Sequence, residues 1–197
     1  MPDPSNVIVK KAGMDEATLV GEILGEAFSV DPLMKWISPD PEYPRWCWTL
    51  AVPFFLPYQE VYVTEDGLGA AMWLPPGIEL NIRPSPSILW DAWWRFGIKS
   101  ILRFFHYMRI LEKNHTKNKH YYLFAIGVRS ISRRQGIGSA LLEYVLKECD
   151  RLKMGVYLES GSLNLPFYKL HGFKERTEIA LPHNGPTLWS MYRDNRK

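Results

Sequence analysis

Cysteine is scarce, with two residues, Cys47 and Cys149, and no CxxC or Cys/His spacing that could hold a metal. This excludes a zinc module or a disulfide scaffold and fits two free thiols in a reducing compartment. Long apolar runs are missing too. None approaches the roughly 20 residues that a membrane helix needs, and Met1-Pro-Asp-Pro-Ser-Asn6 has no charged-then-apolar leader pattern. The expectation is a soluble, cytoplasmic protein. Charge of one sign is also in short supply. The formal net charge is +3, and basic residues cluster only at Arg133–Arg134 and at Arg193, Arg196 and Lys197. That is too weak for a nucleic-acid surface but compatible with a small polyanion. There is no internal repeat or low-complexity tract.

What remains is an ordinary globular composition, 46% hydrophobic and 23% charged over 197 residues. A chain of that length suggests one domain with a sizeable core. Val7–Lys10 reads as a short strand. Asp15 can cap a following helix whose apolar positions Leu19, Val20, Ile23, Leu24, Ala27 and Phe28 step by three and four; Asp31-Pro32 ends it. Trp46–Leu56 reads as a helix bent near Pro53. Glu60–Thr64 and Leu68–Leu74 flank the turn Glu65-Asp66-Gly67. Residues 78–120 look like an insertion, with a helix over Ser87–Leu111 and a polar loop over Glu112–Lys119. Tyr121–Val128 is apolar throughout, as a strand buried on both faces would be. Ile137–Lys153 carries a helical apolar stripe. Gly155–Glu159 is a strand and Leu165–Leu170 a short helix closed by Gly172. Phe173–Ala180 and Thr187–Tyr192 are closing strands.

The chemistry concentrates in Arg133-Arg-Gln-Gly-Ile-Gly-Ser139, set between a strand and a helix. Glycines at 136 and 138 allow close backbone approach, and the helix start offers unpaired N–H groups and a positive dipole end. Together these make a phosphate cradle. A P-loop would need a lysine and then Ser/Thr after the second glycine, and a dinucleotide fingerprint a third glycine at 141, where Leu stands. Both nucleotide readings are weak here, and a pyrophosphate loop for coenzyme A and a ligand-free glycine turn compete with them.

The pattern Arg/Gln-x-x-Gly-x-Gly/Ala, filled by Arg133, Gly136 and Gly138, resembles the acetyl-CoA loop of the GNAT superfamily. The spacing Asn164…Tyr168…Gly172-Phe173 resembles its C-terminal half. The run LNLPFYKLHGF with Pro186, Trp189 and Met191 is similar to the puromycin N-acetyltransferase-like branch. The resemblance covers about residues 121–192; Ser130-Ile131 stands where many members have a proline.

It implies an α/β fold, a mixed, mostly antiparallel twisted sheet flanked by helices with a V-shaped split between the central strands. It also implies a single domain over 1–197, with 78–120 as a variable acceptor-side helical segment and 121–192 as the acetyl-CoA-binding half. The implied roles follow. The backbone of Ile126 and Val128 pairs with the pantetheine arm. The amides of Arg134, Gly136, Ile137, Gly138 and Ser139 hold the pyrophosphate, with Arg133 at the rim. Asn164 bonds the pantetheine or orients the next helix, and Tyr168 protonates the leaving thiolate. An alkylamine has a pKa of about 10, so a base is needed as well. Glu159 is the first choice and His120 the second.

Asp31 or Glu60 is expected to anchor the amine. Trp46, Trp48, Phe54, Phe55, Trp90, Trp93, Trp94, Phe96, Phe104, Phe105 and Tyr107 form either an aromatic acceptor wall or ordinary packing. The implied activity is acetyl transfer from acetyl-CoA to a small-molecule amine. No metal, nucleic acid or membrane is expected to take part, and the protein is expected to be a monomer or homodimer. The rivals are a CoA-binding sensor without turnover, a protein-lysine or N-terminal acetyltransferase, and a nucleotide-binding module.

Overall fold

The computed structural model describes residues 7–79 and 82–195. Leu80 and Asn81, inside the 78–120 segment, and the basic Arg196 and Lys197 lie outside the described residues. The strands are β1 (Val9–Lys11), β2 (Val61–Thr64), β3 (Gly69–Leu74), β4 (His120–Val128), β5 (Gly155–Gly161), β6 (Lys174–Ala180) and β7 (Thr187–Arg193). They form one sheet in the order β1-β2-β3-β4-β5-β7-β6. Every pairing is antiparallel except β4 with β5. The helices are α1 (Ala17–Ala27), α2 (Pro32–Ile37), α3 (Tyr43–Phe55), α4 (Pro86–Asn114), α5 (Ile137–Arg151) and α6 (Leu165–Leu170).

The sheet separates two cores. On one side α1, α2 and α3 bury Val20, Ile23, Leu24, Ile37, Trp48, Val52 and Phe55. On the other, the α5 stripe of Ile137, Leu141, Leu142, Val145 and Cys149 packs with Trp73, Leu123, Val156, Tyr168 and Met191. The strand β4 contributes to both cores, Tyr122 and Ala125 to the first and Tyr121 and Leu123 to the second. Its unbroken apolar sequence follows from that.

The parallel β4–β5 pair is short, running from His120↔Gly155 to Leu123↔Leu158. On its other edge β4 stays paired with β3 as far as Gly69↔Val128. At the residue where β4 leaves β5 the register with β3 slips, since Trp73 faces Leu123 and Met72 faces Ala125. Phe124 is therefore an extra residue, a bulge that bends its strand. The split expected between the central strands is opened here.

Some expectations need correction. Asp15 caps nothing: a short 3-10 turn over Met14–Glu16 precedes α1, and the Glu16 carboxylate accepts from the Gly13 N–H. The working cap is Asp31, whose carboxylate accepts from the Leu33 and Met34 N–H groups with Pro32 at the first position of α2. Glu112–Asn114 continue α4 instead of opening a loop, and α4 is broken at Gly97, which has φ 75°.

Candidate acyl-transfer site

A cavity of about 960 Å³ runs along the split. Its lining includes Ile126, Val128 and Arg133, also Glu159, Asn164 and Tyr168, and Asp31, Trp46, Phe96 and Tyr107. Arg134, Gly136, Ile137, Gly138 and Ser139 are not among its lining residues, and three separate devices set the groups that are.

The first device is the loop into α5. Arg134 (φ 64°) and Gly136 (φ 83°) adopt left-handed backbone, which curls the chain into the start of the helix. A Cβ at Gly138 would lie 3.6 Å from Phe167 and 3.8 Å from Val128, so this turn sits against the split end of β4. The loop itself is tied down by Glu26 at the end of α1. The Glu26 carboxylate accepts from the Ser130 N–H at 2.9 Å, the Ser130 hydroxyl at 2.8 Å and Arg129 Nη1 at 2.7 Å. These bonds hold its pKa below the usual carboxylate value. A proline at 130 has no N–H to give; Ser130 replaces that rigidity with an anchored hydrogen bond. Arg133 donates to the Ala27 carbonyl at 3.1 Å.

The second device is the free edge of β4. From Phe124 to Val128 it has no strand partner on the β5 side among the described residues. An extended ligand can pair with such an edge. Beside it lie a positively charged rim and a turn with unpaired N–H groups, so the residues present fit a pantetheine arm and a pyrophosphate.

The third device is the sequence after β5. Tyr168 is buried, between Phe167 and Phe173, with its hydroxyl beside Ser160. Burial pushes the phenol well above its ordinary pKa, with the Ser160 bond offsetting this in part. The group is therefore a protonated donor at neutral pH. Asn164 lies at the start of α6 but makes no capping bond through its side chain; its amide is exposed on the cavity.

Glu159 extends from β5 with a side chain only 4% exposed. Its Oε2 accepts from the Tyr122 hydroxyl at 2.7 Å, while Oε1 has no hydrogen-bond partner among the described residues. His120 is not on the cavity. Its Nδ1 meets the Asn118 carbonyl and its Nε2 meets His115 Nε2 at 3.0 Å. Asp31 faces the cavity, and burial raises its pKa. Glu60 does not line it; it accepts from the Tyr62 hydroxyl in the α5-side layer.

Of the eleven candidate aromatic residues, seven line the cavity and four do not. Trp46, Trp48, Phe54, Phe96, Phe104, Phe105 and Tyr107 line the cavity. Trp90 and Trp94 are 65% and 77% exposed, Trp93 is exposed as well, and Phe55 is core. The helix α4 turns Ala92 and Phe96 inward, which sends its tryptophans to the outer face. Sequence reasoning missed His115, Tyr122 and Glu26. His115 sits at a polar helix end, and although His120 is five residues on, Tyr157 and Glu159 are about forty residues away.

Residues 97–173 match the model of the Acetyltransferase (GNAT) family. The fold is also that of solved GNAT structures. The Drosophila melanogaster polyamine N-acetyltransferase superposes with a TM-score of 0.67 at 13% identity, over 96% of this chain and 100% of its own. The histone acetyltransferase HPA2 and related acetyltransferase of Corynebacterium glutamicum gives 0.66 at 20% identity, over 97% of each chain. Arylalkylamine N-acetyltransferase 2 of Aedes aegypti gives 0.62 at 15% identity, over 97% of this chain and 100% of its own. At these identities the likeness carries the fold, not the acceptor.

No helix among the described residues is long and apolar enough to cross a membrane. No group of three or more His, Cys, Asp or Glu among them could hold a metal.

Proposed function

We propose that the protein transfers an acetyl group from acetyl-CoA to the amine of a small molecule. The observation that carries this is the β4–β5 split. The free edge of β4, Arg133 at the head of the loop into α5, Tyr168 and Glu159 all line that one opening, which supports the reading. Acetyl-CoA supplies a thioester carbonyl for an amine to attack and a thiol to leave.

The protein's own groups divide the work. The amides of Arg134, Gly136, Ile137, Gly138 and Ser139 hold the pyrophosphate, with Arg133 adding charge at the rim. The backbone of Ile126 and Val128 aligns the pantetheine, and Asn164 bonds it from across the split. A backbone N–H near the end of β4 steadies the carbonyl oxygen as charge develops on it. Tyr168 gives its proton to the departing sulfur. Glu159 accepts a proton from the amine. Asp31 pairs with the cationic acceptor while the aromatic wall stacks against it. Residues 121–192 thus serve acetyl-CoA and residues 78–120 serve the acceptor. The LNLPFYKLHGF run and the Pro186…Trp189-x-Met191 strand favour the puromycin N-acetyltransferase-like branch.

The polyamine and arylalkylamine acetyltransferases among the similar structures support a small amine. The test is a panel of small amines, lysine peptides and N-terminal peptides, incubated with acetyl-CoA and read by mass spectrometry. Acetylated small amines are expected. Acetylation of peptides alone would move the reading to a protein acceptor. CoA binding with no product would make the protein a sensor.

A further inference from the structure

Six titratable residues meet beneath the acceptor end of the cavity: Tyr107 and His115 from α4 and its cap, His120 and Tyr122 from β4, Tyr157 and Glu159 from β5. The ring of His115 stands edge-on to Tyr122 at 4.7 Å and to Tyr157 at 4.8 Å. Tyr157 donates to the Asn114 carbonyl at 3.3 Å. Among the described residues Asp31 is a further charged group facing this cluster, through Tyr107.

The hydrogen bonds fix where the protons are. A backbone carbonyl can only accept, so His120 Nδ1, at 2.5 Å from the Asn118 oxygen, carries a hydrogen. In the neutral ring His120 Nε2 is then a lone pair. It lies 3.0 Å from His115 Nε2, which must therefore be the donor. That leaves His115 Nδ1 bare. It points at Glu159 Oε1 across 3.9 Å, the one oxygen of that carboxylate without a partner among the described residues. His115 Nδ1 and the Glu159 carboxylate are then both acceptors, with the Tyr157 hydroxyl also set against that carboxylate. Burial lowers the pKa of His120, which keeps that ring neutral and this order of donors intact.

We infer that His115 and Glu159 together form the proton acceptor of the site, with His120 and the Asn118 carbonyl as positioning groups that hold the basic nitrogen of His115 inward. The inference rests on the acetyl-transfer reading above. The N–H bond of a bound ammonium breaks, and its electron pair stays on nitrogen. The proton passes by way of Glu159 to His115 Nδ1. The carboxylate ends as it began, the amine is neutral, and the imidazole has become an imidazolium beside a carboxylate. The His115 side chain is 29% exposed, so the proton has a short route to solvent.

Two measurements test this, and the first needs no turnover. Nitrogen-15 NMR of the histidine rings in the wild-type protein is expected to show His115 with Nε2–H and a bare Nδ1. A hydrogen on Nδ1 at neutral pH would overturn the inference. The second is kinetic. His115→Asn should lower kcat/KM roughly a hundredfold for an alkylamine that arrives charged. For a weakly basic arylamine, already neutral, the loss should be less than tenfold. Equal losses for both amines would make His115 structural. His115→Gln, with circular dichroism on each variant, repeats the comparison if the first variant folds poorly. Wild-type protein that acetylates no amine would sink the function reading, and the NMR result would still decide the proton site.

Discussion

Burial holds the Tyr168 phenol protonated, and the phenol opens onto the cavity that also holds Glu159. Tyr168→Phe keeps the ring packed between Phe167 and Phe173 and removes only the proton donor. Steady-state kinetics on an accepted amine should show kcat and kcat/KM falling together by roughly a hundredfold. Calorimetric affinity for CoA should stay within a few-fold. A loss confined to KM would make the hydroxyl a binding group. Asp31 needs a different substitution because it caps α2 as well as lining the cavity. Asn retains the cap on α2 and loses the charge. Asp31→Asn should therefore leave the melting temperature nearly unchanged and raise KM for a cationic amine roughly tenfold, about the value of one partly exposed charge contact. An unchanged KM with a lowered melting temperature would leave Asp31 a cap only. Tyr168 and Arg133 could be picked out from the sequence because both lie within short, spaced motifs, and both line the cavity. His115 could not, because 44 residues separate it from Glu159 and only the meeting of α4, β4 and β5 joins them.

At the scale of elements, the approach to α5 depends on α1. Glu26 carries three bonds into Arg129 and Ser130, and the depressed pKa sets their pH dependence. A carboxylate with a lowered folded pKa stabilises the native state above its unfolded value, 4.5, and loses that contribution as pH falls through the folded value. Glu26→Gln should accordingly weaken CoA binding and lower the melting temperature at pH 7. The melting difference should shrink below about pH 4.5 and vanish at lower pH. A difference independent of pH would mean that Glu26 acts through packing. The strands were readable in outline because β4 is apolar on both faces and β2–β3 bracket a glycine turn. The Phe124 bulge was invisible, since nothing in YYLFAIGV marks which residue is the extra one. The tryptophans of α4 show the same limit. Helical spacing says that Trp90 and Trp94 share a face, but only the docking of Ala92 and Phe96 against the cavity says that this face looks outward.

At the scale of the molecule, the seven-stranded sheet with one short parallel pair converts the sequence pattern into a single opening. Both cores are needed for it: α5 and α6 hold the loop and Tyr168, while α1 to α4 supply the lining around Trp46, Phe96 and Tyr107. The central claim is that this opening takes acetyl-CoA, and thermal unfolding with added ligands tests it most directly. Acetyl-CoA at a hundredfold above its dissociation constant contributes about 2.7 kcal/mol. For a domain of this size that raises the melting temperature by roughly 5–10 °C. NAD and ATP at the same concentration should leave it unmoved, because the loop has no P-loop lysine and no third dinucleotide glycine. A shift with ATP or NAD and none with acetyl-CoA would contradict the account.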